Sequence, residues 1–191
     1  MIDKIKMVLF VLILGTILSS ALISVNTFTT PLIERNQAVK LQKTVLSAFG
    51  YSYDADNLDE MYNKNITALG EGETLHYKGE NGLIAFPYKG KGFQGEITGI
   101  IAMEADIQTI SGLAILSQVE TPGLGSRIGE ESFLSQFPGQ KFSPELVFTS
   151  AGNAESQNEI DGISGATLSS KAIINILNDN FAGFKNIVEG E

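Results

Sequence analysis

The chain has 191 residues and a formal net charge of −9, split between a basic start (+3 over residues 1–43) and an acidic remainder with 8 basic against 20 acidic residues (−12). So acidic a body excludes nucleic acid as a natural partner, because phosphate contacts need clustered Lys and Arg. Cysteine is absent and His76 is the one histidine, which removes disulfide frames, Cys-ligated iron–sulfur clusters, haem attachment and Cys/His zinc sites; a redox role would need an organic cofactor.

Met7 to Val25 is a run of 19 residues without a charge, close to the ~20 apolar residues with which a helix crosses a bilayer. Lys4 and Lys6 precede it, so the positive-inside rule puts the N-terminus in the cytoplasm and the rest of the chain outside. The competing reading is a cleaved signal peptide with a weak cleavage site at Ser19-Ser-Ala21. Signal cores are usually ~7–15 residues, and the longer run here favours a retained anchor. The run offers no ion path of its own, since it holds no charge. Gly15, Thr16, Ser19, Ser20 and Ser24 would let a neighbouring membrane helix pack closely. Pro31 is expected to break the helix, dividing the chain into a transmembrane anchor (residues 1–30) and one domain (residues 31–191).

Beyond Pro31, Ala38, Leu41, Val45 and Phe49 recur at helical spacing, with Gly50 as the stop. Asn57 to Lys64 reads as a short helix with Leu58, Met61 and Tyr62 on its apolar side. Thr74–Lys78 and Leu83–Tyr88 flank Glu80-Asn81-Gly82 as a hairpin, with His76 expected on the strand surface. Glu96–Met103 and Ile107–Gln118 read as strands around a solvated Glu104-Ala-Asp106 turn. Glu130–Phe137 reads as a helix stopped by Pro138-Gly139, and Leu146–Thr149 as a further strand. Leu168–Phe181 is the last long helix, with Leu168, Ala172, Ile173, Ile176 and Leu177 on its apolar side. Antiparallel strands with helices at both ends make the class α+β.

Three segments invite a chemical reading. Gly90-Lys-Gly92-Phe-Gln-Gly95 matches the dinucleotide fingerprint in letters only. That fingerprint must open a helix, whereas Glu96-Ile-Thr-Gly-Ile-Ile is strand-like, so a glycine turn between strands is expected. No phosphate-loop, nucleophile-elbow or zincin motif appears. Glu120-Thr-Pro-Gly-Leu-Gly125 forms an irregular loop after a long strand. There the glycines would let backbone amides approach a flat ligand, Leu124 would cover an apolar ring, and Thr121 would bond its edge. Asp161-Gly-Ile-Ser-Gly-Ala-Thr-Leu-Ser-Ser170 runs into the last helix, with small Ser164, Gly165 and Ala166 and the Thr167 hydroxyl at a helix N-terminus. That position favours a phosphate. The ordinary reading of Ser164 or Thr167 alone is an N-cap.

Together the two motifs resemble the FMN-binding domain of two related membrane proteins: NqrC of the sodium-translocating NADH:quinone oxidoreductase (Nqr) and RnfG of the Rnf ferredoxin:NAD oxidoreductase. The resemblance extends to the single anchor, the helix Gln37–Gly50 and the Lys89–Gly95 turn. It implies one extracytoplasmic domain with an antiparallel sheet and flanking helices, and FMN joined through its phosphate to Thr167 by a flavin transferase. By the same resemblance Asp161, Ser164, Gly165, Ala166, Leu168 and Ser169 match the transferase recognition sequence and phosphate surroundings. Glu120, Thr121, Pro122, Gly123, Leu124 and Gly125 would lie by the flavin ring. No metal site and no catalytic side chain are implied. The chain would carry electrons within a redox-driven sodium pump in the inner membrane, beside other membrane subunits, and would not be catalytic alone. It departs from NqrC where that family often has Gly-Leu-Trp-Gly and this chain has Gly92-Phe93-Gln94-Gly95; there Phe93 would replace a packing aromatic. Its compact length suits RnfG, whereas the Leu41–Gly50 helix and Lys89–Phe93 turn favour NqrC. A non-redox anchored binding or assembly module, with Thr167 as a mere cap, is the reading of another class, and a stand-alone flavin reductase is a third.

Overall fold

In the computed structural model, which describes residues 2–189, the chain divides into two units, Met1–Lys40 and Leu41–Glu191. One helix, α1 (Ile2–Ala48), runs through both. Its apolar part is long and hydrophobic enough to cross a membrane, with a mean hydropathy of 2.6 and none of that stretch buried in the protein.

The break expected at Pro31 does not occur, because Pro31 lies inside α1. A proline removes one backbone hydrogen bond. The turns on both sides survive that local loss: before it, Thr27, Thr29 and Thr30 donate their hydroxyls to the carbonyls of Ile23, Val25 and Asn26. After it, the Gln37–Ala48 stretch has the strong helix formers and apolar spacing to continue. The helix stops where expected, with Gly50 in the left-handed region (φ +74°).

The second unit then adds α2 (Leu58–Asn65), β1 (Ile66–Leu69), β2 (His76–Gly79), β3 (Ile84–Lys91), β4 (Glu96–Met103) and β5 (Ile110–Ser117), which form a five-stranded sheet in the order of the chain. Every neighbouring pair is antiparallel. Next come a 3-10 turn at Gly125–Gly129 and α3 (Glu131–Leu134). β6 (Val147–Thr149) pairs in parallel with β7 (Glu159–Asp161) as a separate ribbon, and α4 (Thr167–Glu189) ends the chain. The α+β class is borne out. β6 was expected within Leu146–Thr149, but β7, its parallel pairing with β6, and β1 were not; β1 and β7 have four residues or fewer, too few for alternation to be read.

The sheet is covered on both sides. Side chains along a strand point alternately to opposite faces, yet β4 is buried at every position from Gly99 to Met103. The last turns of α1 reach the sheet, since a Cβ on Gly112 would strike the Ala48 carbonyl and one on Gly79 would lie 2.7 Å from the Phe49 ring. α4 crosses β3 at Gly90, where a Cβ would come within 2.6 Å of Ile176. Phe184 of α4 stacks on Phe86 of β3 at 4.8 Å, and Phe181 stacks on Phe142 at 4.2 Å. The Asn178 amide exchanges two hydrogen bonds with the Leu146 backbone (2.9 and 2.8 Å), holding β6 to α4.

Three further readings are corrected. α3 is shorter than Glu130–Phe137, because after Leu134 the chain tightens into turns in which the Gln136 and Phe137 amides donate to the Phe133 and Leu134 carbonyls. α4 continues past Phe181, since Phe184 is buried and Ile187 and Val188 pack on the core. His76 is buried, not a surface residue: its Nδ1 lies 2.9 Å from the Thr74 carbonyl and its ring stacks on Phe86. The Glu104–Asp106 turn is exposed as expected, with Asp106 Oδ1 accepting the Gln108 and Thr109 amides.

Phe86 joins β3, α4 and His76 in one stack, so Phe86→Ala is expected to cost about 3–5 kcal/mol, read by chemical denaturation of the full chain in detergent.

Candidate functional site

β5 ends at Ser117, and the chain turns inward at Glu120, which is 4% exposed. Its carboxylate is held from two sides. Oε2 accepts the Ser169 hydroxyl at 2.6 Å, and Oε1 accepts the Gln94 amide at 3.0 Å. Ser169 is likewise 4% exposed. One buried carboxylate therefore joins the glycine turn after β3, the loop after β5 and the first turn of α4. The glycine turn itself closes through Gly92 N–H to Gly95 O (2.7 Å) and feeds a strand, as expected.

The 120–125 loop is a compact turn: Thr121 O accepts the Leu124 and Ser126 amides, and Ser126 Oγ accepts the Gly123 amide (3.0 Å). Gly123 takes a left-handed φ of +72°. Thr121, Pro122, Gly123 and Leu124 are exposed, whereas Gly125 is buried. Gly125 has to be glycine, since a Cβ there would strike Ser169 Oγ and lie 2.9 Å from Glu120 Oε2.

In the second motif, Asp161 ends β7, and its carboxylate turns to the 149–154 stretch. Its Oδ1 accepts Thr149 Oγ1 (3.0 Å) and the amides of Asn153 (2.9 Å) and Ala154 (3.0 Å), while its backbone exchanges two bonds with the Gln136 amide. Loss of solvent pushes the Asp161 carboxyl up, but the bonds from Asn153, Thr149, Ala154 and Gly152 outweigh this and hold it below the usual carboxylate range. Asp161 thus organises the 149–154 loop. Ser164 is exposed and its carbonyl accepts Arg127 Nη1 at 3.3 Å. Gly165 has φ +82°, and a Cβ there would touch Leu124 at 3.7 Å. Ala166 is buried and its carbonyl accepts both the Ser170 amide and the Ser170 hydroxyl.

Thr167 is the first residue of α4 and is exposed. Among the described residues neither its hydroxyl nor that of Ser164 takes part in a hydrogen bond. The capping role that would be ordinary for either is not performed. Ser170 instead secures this end, accepting the Ile163 amide at 3.1 Å. The structure thus leaves the Thr167 hydroxyl facing solvent beside an end that favours negative charge.

Leu168 does not join the apolar side of α4 as expected. It is 55% exposed, and the buried stripe begins at Ile173 and includes Ile174. Outside α1, the exposed large apolar side chains among the described residues are Phe93, Val119, Leu124, Val147 and Leu168. All but Val147 border the segments that Glu120 joins, with Val119 against the Gly95 backbone and Leu124 against Gly165. Phe93 is not a packing aromatic, being exposed on the turn. An apolar rim, left-handed glycines, an unpartnered hydroxyl and an anion-favouring helix end fit a phosphate ester carrying a flat apolar ring. Sequence reasoning named Glu120 and Ser169 separately and missed their bond. It also missed Gln94, Gln136, Arg127, Val119 and Ser170, whose roles arise from contacts across the fold.

A family model described as "FMN-binding domain" matches residues 92–181. Residues 92–181, which hold both the 120–125 loop and the 161–170 segment, are thus similar to an FMN-binding domain. Among curated relatives, NqrC of the Na(+)-translocating NADH-quinone reductase of Pasteurella multocida is 33% identical over 97 residues, covering 48% of this chain and 37% of the relative. NqrC of Neisseria meningitidis is 33% identical over 109 residues, covering 53% and 42%. The matched region thus spans about two fifths of those relatives' length. The crystal structure of Shewanella oneidensis NqrC superposes with a TM-score of 0.71 at 18% identity, over 82% of this chain and 98% of that one. NqrC from Parabacteroides distasonis gives 0.70 at 22%, over 82% and 95%. At these identities the two structures establish the fold.

Gly125→Ala is expected to cost about 1–3 kcal/mol by overpacking the Glu120–Ser169 pair, read as a shift in the denaturation midpoint. Because the folded Asp161 carboxyl titrates below its unfolded value of 3.8, its stabilisation is full above that value and is lost as pH falls through the lower folded one. Asp161→Asn is therefore expected to flatten the loss of stability as pH falls below 3.8; an unchanged slope would remove this role.

Proposed function

We propose that this protein is an electron-transfer subunit of an Nqr-type redox-driven sodium pump, with FMN joined through its phosphate to Thr167. The observation that carries the proposal is the exposed, unpartnered Thr167 hydroxyl at the start of α4, beside an apolar rim tied to it through Glu120. Bound FMN would supply the electron chemistry, and the protein supplies position and electrostatics. The residues divide the work. α4's first turn and the small Ser164-Gly165-Ala166 run make room for the phosphate and favour its charge. Leu124, Leu168, Val119 and Phe93 offer an apolar surface to the ring.

The start of α1 supports a single-pass anchor within residues 1–30 of the inner membrane. Lys4 and Lys6 support a cytoplasmic N-terminus, and hence a domain from residue 31 onward on the periplasmic or extracellular side. A tethered cofactor cannot diffuse away there, which gives the covalent bond a physical purpose. Partners are the other membrane subunits of the complex and, during maturation, a flavin transferase. The chain is not catalytic alone, because electrons must reach and leave it through those partners. The named relatives favour the NqrC type over RnfG. The absent cap bond at Thr167 weighs against the non-redox assembly module.

Co-expression with a flavin transferase is expected to give a protein whose fluorescence survives a denaturing gel. Thr167→Ala is expected to abolish it while changing stability by no more than about 0.5 kcal/mol, since this hydroxyl caps nothing. A fluorescent Thr167→Ala band would contradict the assignment.

A further inference from the structure

Glu120 sits in a niche shaped for its carboxylate. A Cβ on Gly92 would come within 2.5 Å of Oε1 and one on Gly125 within 2.9 Å of Oε2. Both oxygens are already engaged, by the Gln94 amide and the Ser169 hydroxyl, and the Glu120 amide donates to Gln118 Oε1 at 2.6 Å. A buried carboxylate supplied with donors in this way is stable where a bare one would not be.

What the carboxylate holds is the surface around Thr167. The turn it grips bears Phe93, its own loop bears Val119 and Leu124, and the helical turn it grips bears Thr167 and Leu168. The four apolar residues are each half exposed or more and come from three separate stretches of chain. Such side chains give a flat ring a surface only if their backbones keep a fixed relation, and a second set of contacts normally enforces that.

We propose that Glu120 is a positioning residue: it ties the apolar rim to the first turn of α4, so that a ring tethered at Thr167 rests against Phe93, Val119, Leu124 and Leu168. This rests on the assignment of FMN to Thr167. The tie, rather than the charge, is what the role requires. A glutamine at 120 can keep both links, its oxygen accepting from Gln94 and its amide donating to Ser169 Oγ.

The test uses full-length protein in detergent as wild type, Glu120→Gln, Glu120→Ala and Ser169→Ala, each made with and without the flavin transferase. Hydrogen–deuterium exchange on the flavin-free proteins reads the tie itself. Glu120→Ala is expected to speed exchange in residues 92–95 and 163–171 together, on the order of tenfold or more, with β4 unchanged and Glu120→Gln like wild type. On the flavin-loaded proteins, Glu120→Ala is expected to lower the anisotropy of the attached flavin and raise its emission towards that of free FMN, and Glu120→Gln to restore both. Wild-type exchange in Glu120→Ala overturns the tie. Faster exchange with unchanged flavin anisotropy overturns the positioning role, as does a Glu120→Gln protein that behaves like alanine. Wild type without covalent flavin overturns the Thr167 assignment instead, while exchange still decides the tie. Should Glu120→Ala fail to fold, Ser169→Ala removes a single link and carries both readouts.

Discussion

A 2.6 Å hydrogen bond between Ser169 and Glu120, both buried, joins two stretches 49 residues apart in the chain. Each stretch alone is ordinary: a proline–glycine loop leaving a strand, and a small-residue turn entering a helix. Burying a carboxylate is costly unless donors meet it, so the fold around Glu120 has to converge. The Gln94 amide, the missing side chains of Gly92 and Gly125, and the first turn of α4 all meet at that one group. Hydrogen bonds to charged groups contribute roughly 1.5–3 kcal/mol and leave a larger penalty when half of the pair is lost. The site is therefore coupled to the stability of the domain.

The remainder of the domain serves to hold that convergence still. β4 is buried on both faces, between the end of α1 and the helix α4 that begins at Thr167. Asn178 fastens α4 to β6, and Asp161 folds the 149–154 loop onto β7 just upstream of the motif. The polar residues of the second motif thus divide into two kinds. Asp161, Ser169 and Ser170 are consumed by the structure, whereas the Ser164 and Thr167 hydroxyls are left unpartnered. Of the two, Thr167 is the one that opens α4.

Where long apolar periods met clear turns, the fold was legible in the sequence. Glu96–Met103 is the strand expected residue for residue, and the Glu80-Asn81-Gly82 turn joins β2 to β3. β1 and β7 were not legible, because each has four residues or fewer, whereas β6 lies within the strand expected over Leu146–Thr149. Pro31 misled because a local rule was applied where a long helix absorbs a single lost bond. His76 and Leu168 exchanged places with expectation, His76 buried by the Phe86 stack and Leu168 left out of the core. In the site, the residue types were legible from spacing and resemblance. The bond between the motifs, and the part played by Gln94, Arg127 and Val119, exist only once the sheet brings three loops together.

The central claim is that the unpartnered Thr167 hydroxyl is where a flavin phosphate is joined. Tryptic digestion after co-expression with a flavin transferase, followed by fragment-ion sequencing of the 142–171 peptide, tests it most directly. The account predicts a single phosphoriboflavin group located on Thr167. An unmodified peptide, or a group on Ser164, Ser169 or Ser170, would contradict it.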